Sequence, residues 1–236
     1  MCTCSSRSSR TWRPPSGGVR QPRAVGALEG WSAGLQMLLA GAAVAPAVRA
    51  RRRPFVPRLT GAVLAVLIAC AFAQIRFPSL LALAERNRMV ERGHVWRLLT
   101  APWFQDGGWS GGVLNLFMLV VVGWVAESEL NRRCWIAAYA CGALAGGLAG
   151  LAWQPIGAGN SIAVLGLAGA VFAARALRAQ SLRERLSGAW PLLICLAMAG
   201  LRDIHGAAGL AGALVGLICV GTAARFRPTP MAESFR

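Results

Sequence analysis

Lysine is missing from the 236 residues: all 25 basic side chains are arginine, set against nine acidic ones. An arginine-only, alanine-rich usage points to a GC-rich bacterial genome. Charge of either sign is scarce. Charged residues make up 14% of the chain and apolar ones 56%, with a mean hydropathy of +0.50, which excludes a soluble domain and fits a polytopic membrane protein. The net charge of +16 does not describe a nucleic-acid surface, because most arginines lie outside the apolar runs and carry topology information instead. Histidine is nearly absent, with only His94 and His205. Cys70, Cys141, Cys195 and Cys219 fall inside apolar runs and read as small hydrophobes, not as a disulfide framework. Cys2 and Cys4 are too few for a metal site, so neither metal nor cofactor is expected. Asn115 and Ser161 are the only clearly polar groups within the apolar runs, too few for a transporter's path.

Taken in order, residues 1–30 are rich in Ser, Arg, Pro and Gly without a periodic apolar face, and predict disorder. Residues 31–48, alanine-heavy and broken by Pro46, predict a weak, non-spanning helix. Residues 1–48 therefore read as a disordered or weakly helical extension, and 49–58 as a basic juxtamembrane segment. Six apolar runs follow: Leu59–Ile75, Gly111–Ala126, Trp135–Ala152, Asn160–Ala174, Leu186–Leu201 and Ile204–Ala224. They predict an all-α, six-helix membrane domain over 59–224 and a short tail at 225–236. Arginines precede the first run and follow the second, fourth and sixth, which places both termini in the cytoplasm of a bacterial cell membrane. The segment Arg76–Ser110 carries three tryptophans, two prolines and both charge signs, and is expected to lie at the interface as a long first loop. Gly142, Gly146 and Gly150, and again Gly212 and Gly216, repeat at GxxxG spacing, which lets helix backbones approach closely.

Ser161 heads the run GNSIAVLGLAGA, with Gly159 before it and Gly166 a little over a turn further on. A helix from Asn160 to Ala174 is about 22 Å long, short against a hydrocarbon core of about 30 Å. Ser161 is thus expected below the surface at the positive end of a helix dipole, where backbone amides could stabilise an oxyanion. The plainer reading makes Ser161 a packing residue and Asn160 a helix cap. Asn115, a polar amide in an apolar helix, should face the bundle interior, toward Ser161.

WRLLTAP at Trp96–Pro102, Gly107-Gly108-Trp109, Asn115, Gly123, Glu127, GNSIAVLGLAGA and DIHGAAGLAG at Asp203–Gly212 together resemble the rhomboid intramembrane serine protease family over about 59–224. The resemblance implies a serine–histidine dyad with Ser161 as nucleophile and Asn115 beside the oxyanion. It also implies that Arg97 ties down the first loop and that Glu127 closes the cytoplasmic end of the second helix. Transmembrane segments of other proteins within the bilayer would be the substrates or bound partners, with no nucleic acid. Three departures stand out. Aligning DIHGAAGLAG on Leu210 and Gly212 puts Gly209 at the histidine position, Gly111 replaces the first residue of the family's HxxxN pattern, and Ile162 follows the serine in place of glycine. His205 lies four residues, or about 6 Å, from Gly209 along the helix, and a dyad needs about 2.6–3.2 Å, so His205 is expected to be out of reach. Chemistry then favours a pseudoprotease that binds transmembrane helices. The alternative is an active endopeptidase with His205 as an irregular base.

Overall fold

The structure is a computed structural model describing residues 23–49 and 56–225, with side chains described for 31–46 and 56–222. Its helices are α1 (Arg23–Arg49), α2 (Arg58–Arg76), α3 (Ser79–Ala84), α4 (Arg97–Thr100), α5 (Gly108–Glu129), α6 (Arg132–Trp153), α7 (Ser161–Arg178), α8 (Leu182–Gly200) and α9 (Ile204–Arg225). Among the described residues no strand forms, only an isolated bridge between Arg86 and Gly157.

The core is α7. Every residue from Ile162 to Ala174 is buried, as expected of an apolar helix with no polar stripe once neighbours surround it. α1, α5, α6, α8 and α9 all pack against it, while α2 leans on α5. Glycine decides how closely. A Cβ on Gly212 would land on the Gly166 carbonyl, one on Gly169 on the Gly209 carbonyl, and one on Gly142 against the Gly166 Cα. α6, α7 and α9 therefore meet backbone to backbone, where van der Waals contact between helices is strongest. This seam also fixes register, with Gly166 opposite Gly212 and Ala170 opposite Gly216.

Five helices among the described residues are long and apolar enough to cross a membrane: α2, α5, α6, α7 and Ile204–Thr222 of α9. The expected fifth run, Leu186–Leu201, lies within α8, which opens on Arg183, Glu184 and Arg185 and contains Pro191. Those charges shorten its apolar stretch. Within the expected first loop, residues 77–107 contain α3, α4 and a 3-10 turn at Ala101–Trp103.

The N-terminal extension differs most from expectation. α1 is a 27-residue helix with Leu39 and Ala43 fully buried. Pro46 does not end it. Because proline has no N–H, the Ala42 carbonyl four residues back loses its helical donor. Arg175 takes that role, donating from Nη1 to Ala42 O at 3.3 Å and from Nη2 to Ala43 O at 2.6 Å while Nη2 pairs with Glu129 at 2.7 Å. Nearer its start, Ser32 and Asp203 line the same cavity. Residues 31–36 of α1 and the start of α9 thus lie at the same end of the bundle.

Cysteine also departs from the expected pattern. Cys134 and Cys219 form a disulfide between α6 and α9, with Cα atoms 6.2 Å apart. Residues 1–22, 50–55 and 226–236, which include most of the basic segment and the tail, lie outside the described residues.

Candidate active site

The site is assembled where α5, α7 and α9 begin, and the segment before α5 holds them in place. Arg97, buried, donates from Nη1 to the carbonyls of Ala82 and Glu85, both at 2.9 Å, and Thr100 Oγ1 donates to Ala84 O at 2.9 Å. Together they satisfy carbonyls that the short α3 leaves open at its end. Trp96 is half exposed and stacks on His94, ring centroids 4.4 Å apart. Asp106 Oδ2 accepts from Ala158 N at 2.7 Å, and Gly159 N donates to Ala101 O at 3.0 Å. These bonds pin the approach to α7. Gly159 itself has φ 153°, which favours glycine, and a Cβ there would sit 3.2 Å from Asn115 Nδ2.

A polar chain lies behind the serine. Asn115 Nδ2 donates to Gln105 Oε1 at 2.7 Å, Gln105 Nε2 donates to Asn160 Oδ1 at 3.0 Å, and Asn160 Nδ2 donates to Asn115 O at 3.4 Å. Gln74 exchanges two further bonds with the Gln105 backbone. Each buried amide thereby has a partner, as low dielectric demands. One N–H of the Asn115 amide goes to Gln105, and a Cβ on Gly159 would meet both the amide nitrogen and Ser161 Oγ.

Ser161 Oγ lies 2.9 Å from His205 Nε2. This corrects the expectation that His205 is out of reach and that Gly209 holds the base position. The reason is the seam register: Gly166 against Gly212 and Ala170 against Gly216 set Ser161 beside the first turn of α9, where His205 is. Gly209 sits one turn deeper, its Cβ position facing Cys195 Sγ and the Leu165 carbonyl. Positions four apart share a helix face, so aligning on Leu210 and Gly212 displaces the histidine by one turn.

Asp203 completes the arrangement. Its Oδ1 accepts from the His205 backbone N–H at 2.9 Å and pairs with Nδ1 at 2.7 Å, so one carboxylate caps α9 and orients the ring. Burial pushes the Asp203 carboxyl up, but the hydrogen bond and charge of His205, with help from Ser32, outweigh it and hold the group below the usual carboxylate value. A charged carboxylate on Nδ1–H leaves the Nε2 lone pair facing the serine hydroxyl. A cavity of about 240 Å³ opens onto this pair, lined also by Arg86, Gln154 and Gly157. Arg86 is buried and donates from Nη2 to Gln154 O at 2.7 Å.

Sequence reasoning misses Asp203, Gln105 and Arg86. An aspartate just before a helix is a cap signal, and that signal is present at Asp203. Gln105 and Arg86 sit in a polar segment where nothing marks one amide or guanidinium from another. No cluster of three His, Cys, Asp or Glu forms among the described residues.

A family profile described as Rhomboid domain matches residues 92–226, which takes in Ser161, Asp203, His205, Asn115 and the glycine seam. No curated protein and no solved structure matches the chain. With more than half of its length matched and five helices suited to a bilayer, the chain is an integral membrane protein and belongs to the rhomboid family.

Proposed function

We propose that the chain is an active intramembrane serine endopeptidase acting on transmembrane segments of other proteins. The observation that carries this is the 2.9 Å approach of Ser161 Oγ to His205 Nε2. Nε2 takes the hydroxyl proton as Oγ attacks a peptide carbonyl, and the same proton then goes to the leaving amine. The Ser161 backbone N–H, at the head of α7, and the second N–H of Asn115 are placed to donate to the developing oxyanion. A water, deprotonated by His205, then releases the acyl group and restores the hydroxyl. Asp203 holds the ring in the tautomer that these proton transfers require. In this reading α8 completes a sixth span, and the arginine pattern sets the Ser161 end on the outer face of a bacterial cell membrane.

A pseudoprotease reading keeps two supports, Gly111 in place of the family's second-helix histidine and Ile162 after the serine. Purified protein decides between them. We expect cleavage of a transmembrane reporter and fluorophosphonate labelling of Ser161, with Ser161→Ala and His205→Ala each lowering cleavage by about a thousandfold or more. Folded protein that neither cleaves nor labels would leave the pseudoprotease reading standing.

A further inference from the structure

The ring of helices around α7 has one opening. α6 packs on both α5 and α9, and α8 packs on α9, but α5 and α8 make no substantial contact with each other; α1 bridges them and rests on α7 between them. The head of α1 comes close to the chemistry. Trp31, Ser32, Leu35 and Gln36 face Asp203 and His205 across a cavity of about 590 Å³. That cavity shares Gln154, Ile156 and His205 with the smaller one holding Ser161.

We propose that α1 is a resident occupant of the lateral opening to the Ser161–His205 pair, an autoinhibitory strap that an incoming transmembrane helix must displace. The inference rests on the endopeptidase reading for its consequence, but not for its geometry. α1 lies outside the matched residues 92–226. Its attachment suits exchange. Gly34 and Gly41 have nothing within 4 Å of a Cβ, so neither glycine is engaged in close backbone packing of the kind that locks α9. A polar contact holds the end near Pro46, where Arg175 donates to the carbonyls of Ala42 and Ala43, while Ser32 near the head lines a cavity with Asp203. Arg175 would find the same kind of partner on any helix with an open carbonyl at that depth.

Pro46 offers a mild way to loosen the strap. Its side chain is exposed, and Pro46→Ala restores an N–H for the Ala42 carbonyl, which then competes with Arg175 without removing buried packing. Adding Leu39→Ala removes a fully buried side chain. The full chain, wild type and both variants, is placed in nanodiscs with a fluorescent Leu/Ala-rich transmembrane peptide. Binding is read by energy transfer from the protein's tryptophans, cleavage of the same peptide is followed, and Ser161 is labelled separately by a small fluorophosphonate. We expect peptide binding and cleavage to rise in the order wild type, Pro46→Ala, double variant, reaching about tenfold, while labelling stays within about twofold. Unchanged or weaker peptide binding in variants that still label overturns the strap. Absence of labelling in every form would overturn the endopeptidase reading instead, and peptide binding alone would then decide the strap.

Discussion

α9 and α1 both run alongside α7 in the same direction, and they are held in different ways. α9 is locked by Gly166, Gly169, Gly212 and Gly216, where a single added carbon would meet backbone. α1 is held by Leu39 and Ala43 in its middle and by Arg175 near its end. A backbone seam has one register, because sliding it meets carbonyl atoms that cannot yield. A helix seated by side chains and one end contact has no such stop. The Ser161–His205 pair is built on the first kind of contact, while the head of α1, seated by the second kind, lines a cavity with His205.

The largest effect should come from breaking the seam. Gly212→Val drives a branched side chain onto the Gly166 carbonyl, and we expect a loss of about 3 kcal/mol, measured as detergent-resistant unfolding followed by circular dichroism. Labelling of Ser161 should fall further than stability does, since the same shift draws His205 from the serine. A variant as stable and as well labelled as wild type would show that the glycines do not set the register.

That register also marks the limit of what the residues alone can tell. Ser161 is legible, because a lone hydroxyl at the head of an apolar, glycine-rich run stands out against everything around it. The helices are legible for the same reason of contrast. His205 is not, since helical periodicity makes positions 205 and 209 nearly equivalent on a face and only contacts with α7 choose between them. The Cys134–Cys219 pair, 85 residues apart, depends on tertiary placement that no spacing reveals. Pro46 reads as a helix breaker; its effect in the fold is to free a carbonyl for Arg175, a residue 129 positions further along the chain.

Asp203 lies where the two modes of attachment meet, bonded to His205 on α9 and lining a cavity with Ser32 of α1. A carboxyl held below its unfolded value of about 3.9 contributes stability that is complete above that pH and is lost as pH falls through the lowered folded value. Asp203→Asn should therefore flatten the acid limb of the stability profile. At neutral pH it should lower cleavage by about a hundredfold, because Nδ1–H loses its charged acceptor and the ring is free to turn. Unfolding midpoints and cleavage rates across about pH 3–8 give both numbers. An unchanged acid limb with unchanged cleavage would reduce Asp203 to a cap.

The smallest effect sharpens the contrast from the side of α1. Gly41 lies mid-helix, exposed, with no heavy atom within 4 Å of the position a Cβ would take. Gly41→Ala adds no clash and removes backbone freedom, so α1 should gain about 0.5–1 kcal/mol of local helix stability. Hydrogen exchange of the amides around residue 41 should slow by about two- to fivefold, with the global midpoint and the Ser161 labelling rate unmoved. The same change at Gly212, where the seam is closed, should go the other way and lower the global midpoint. If Gly41→Ala instead destabilised the whole bundle, α1 would be packed as tightly as α9, and the distinction between a fixed seam and a removable strap would fail.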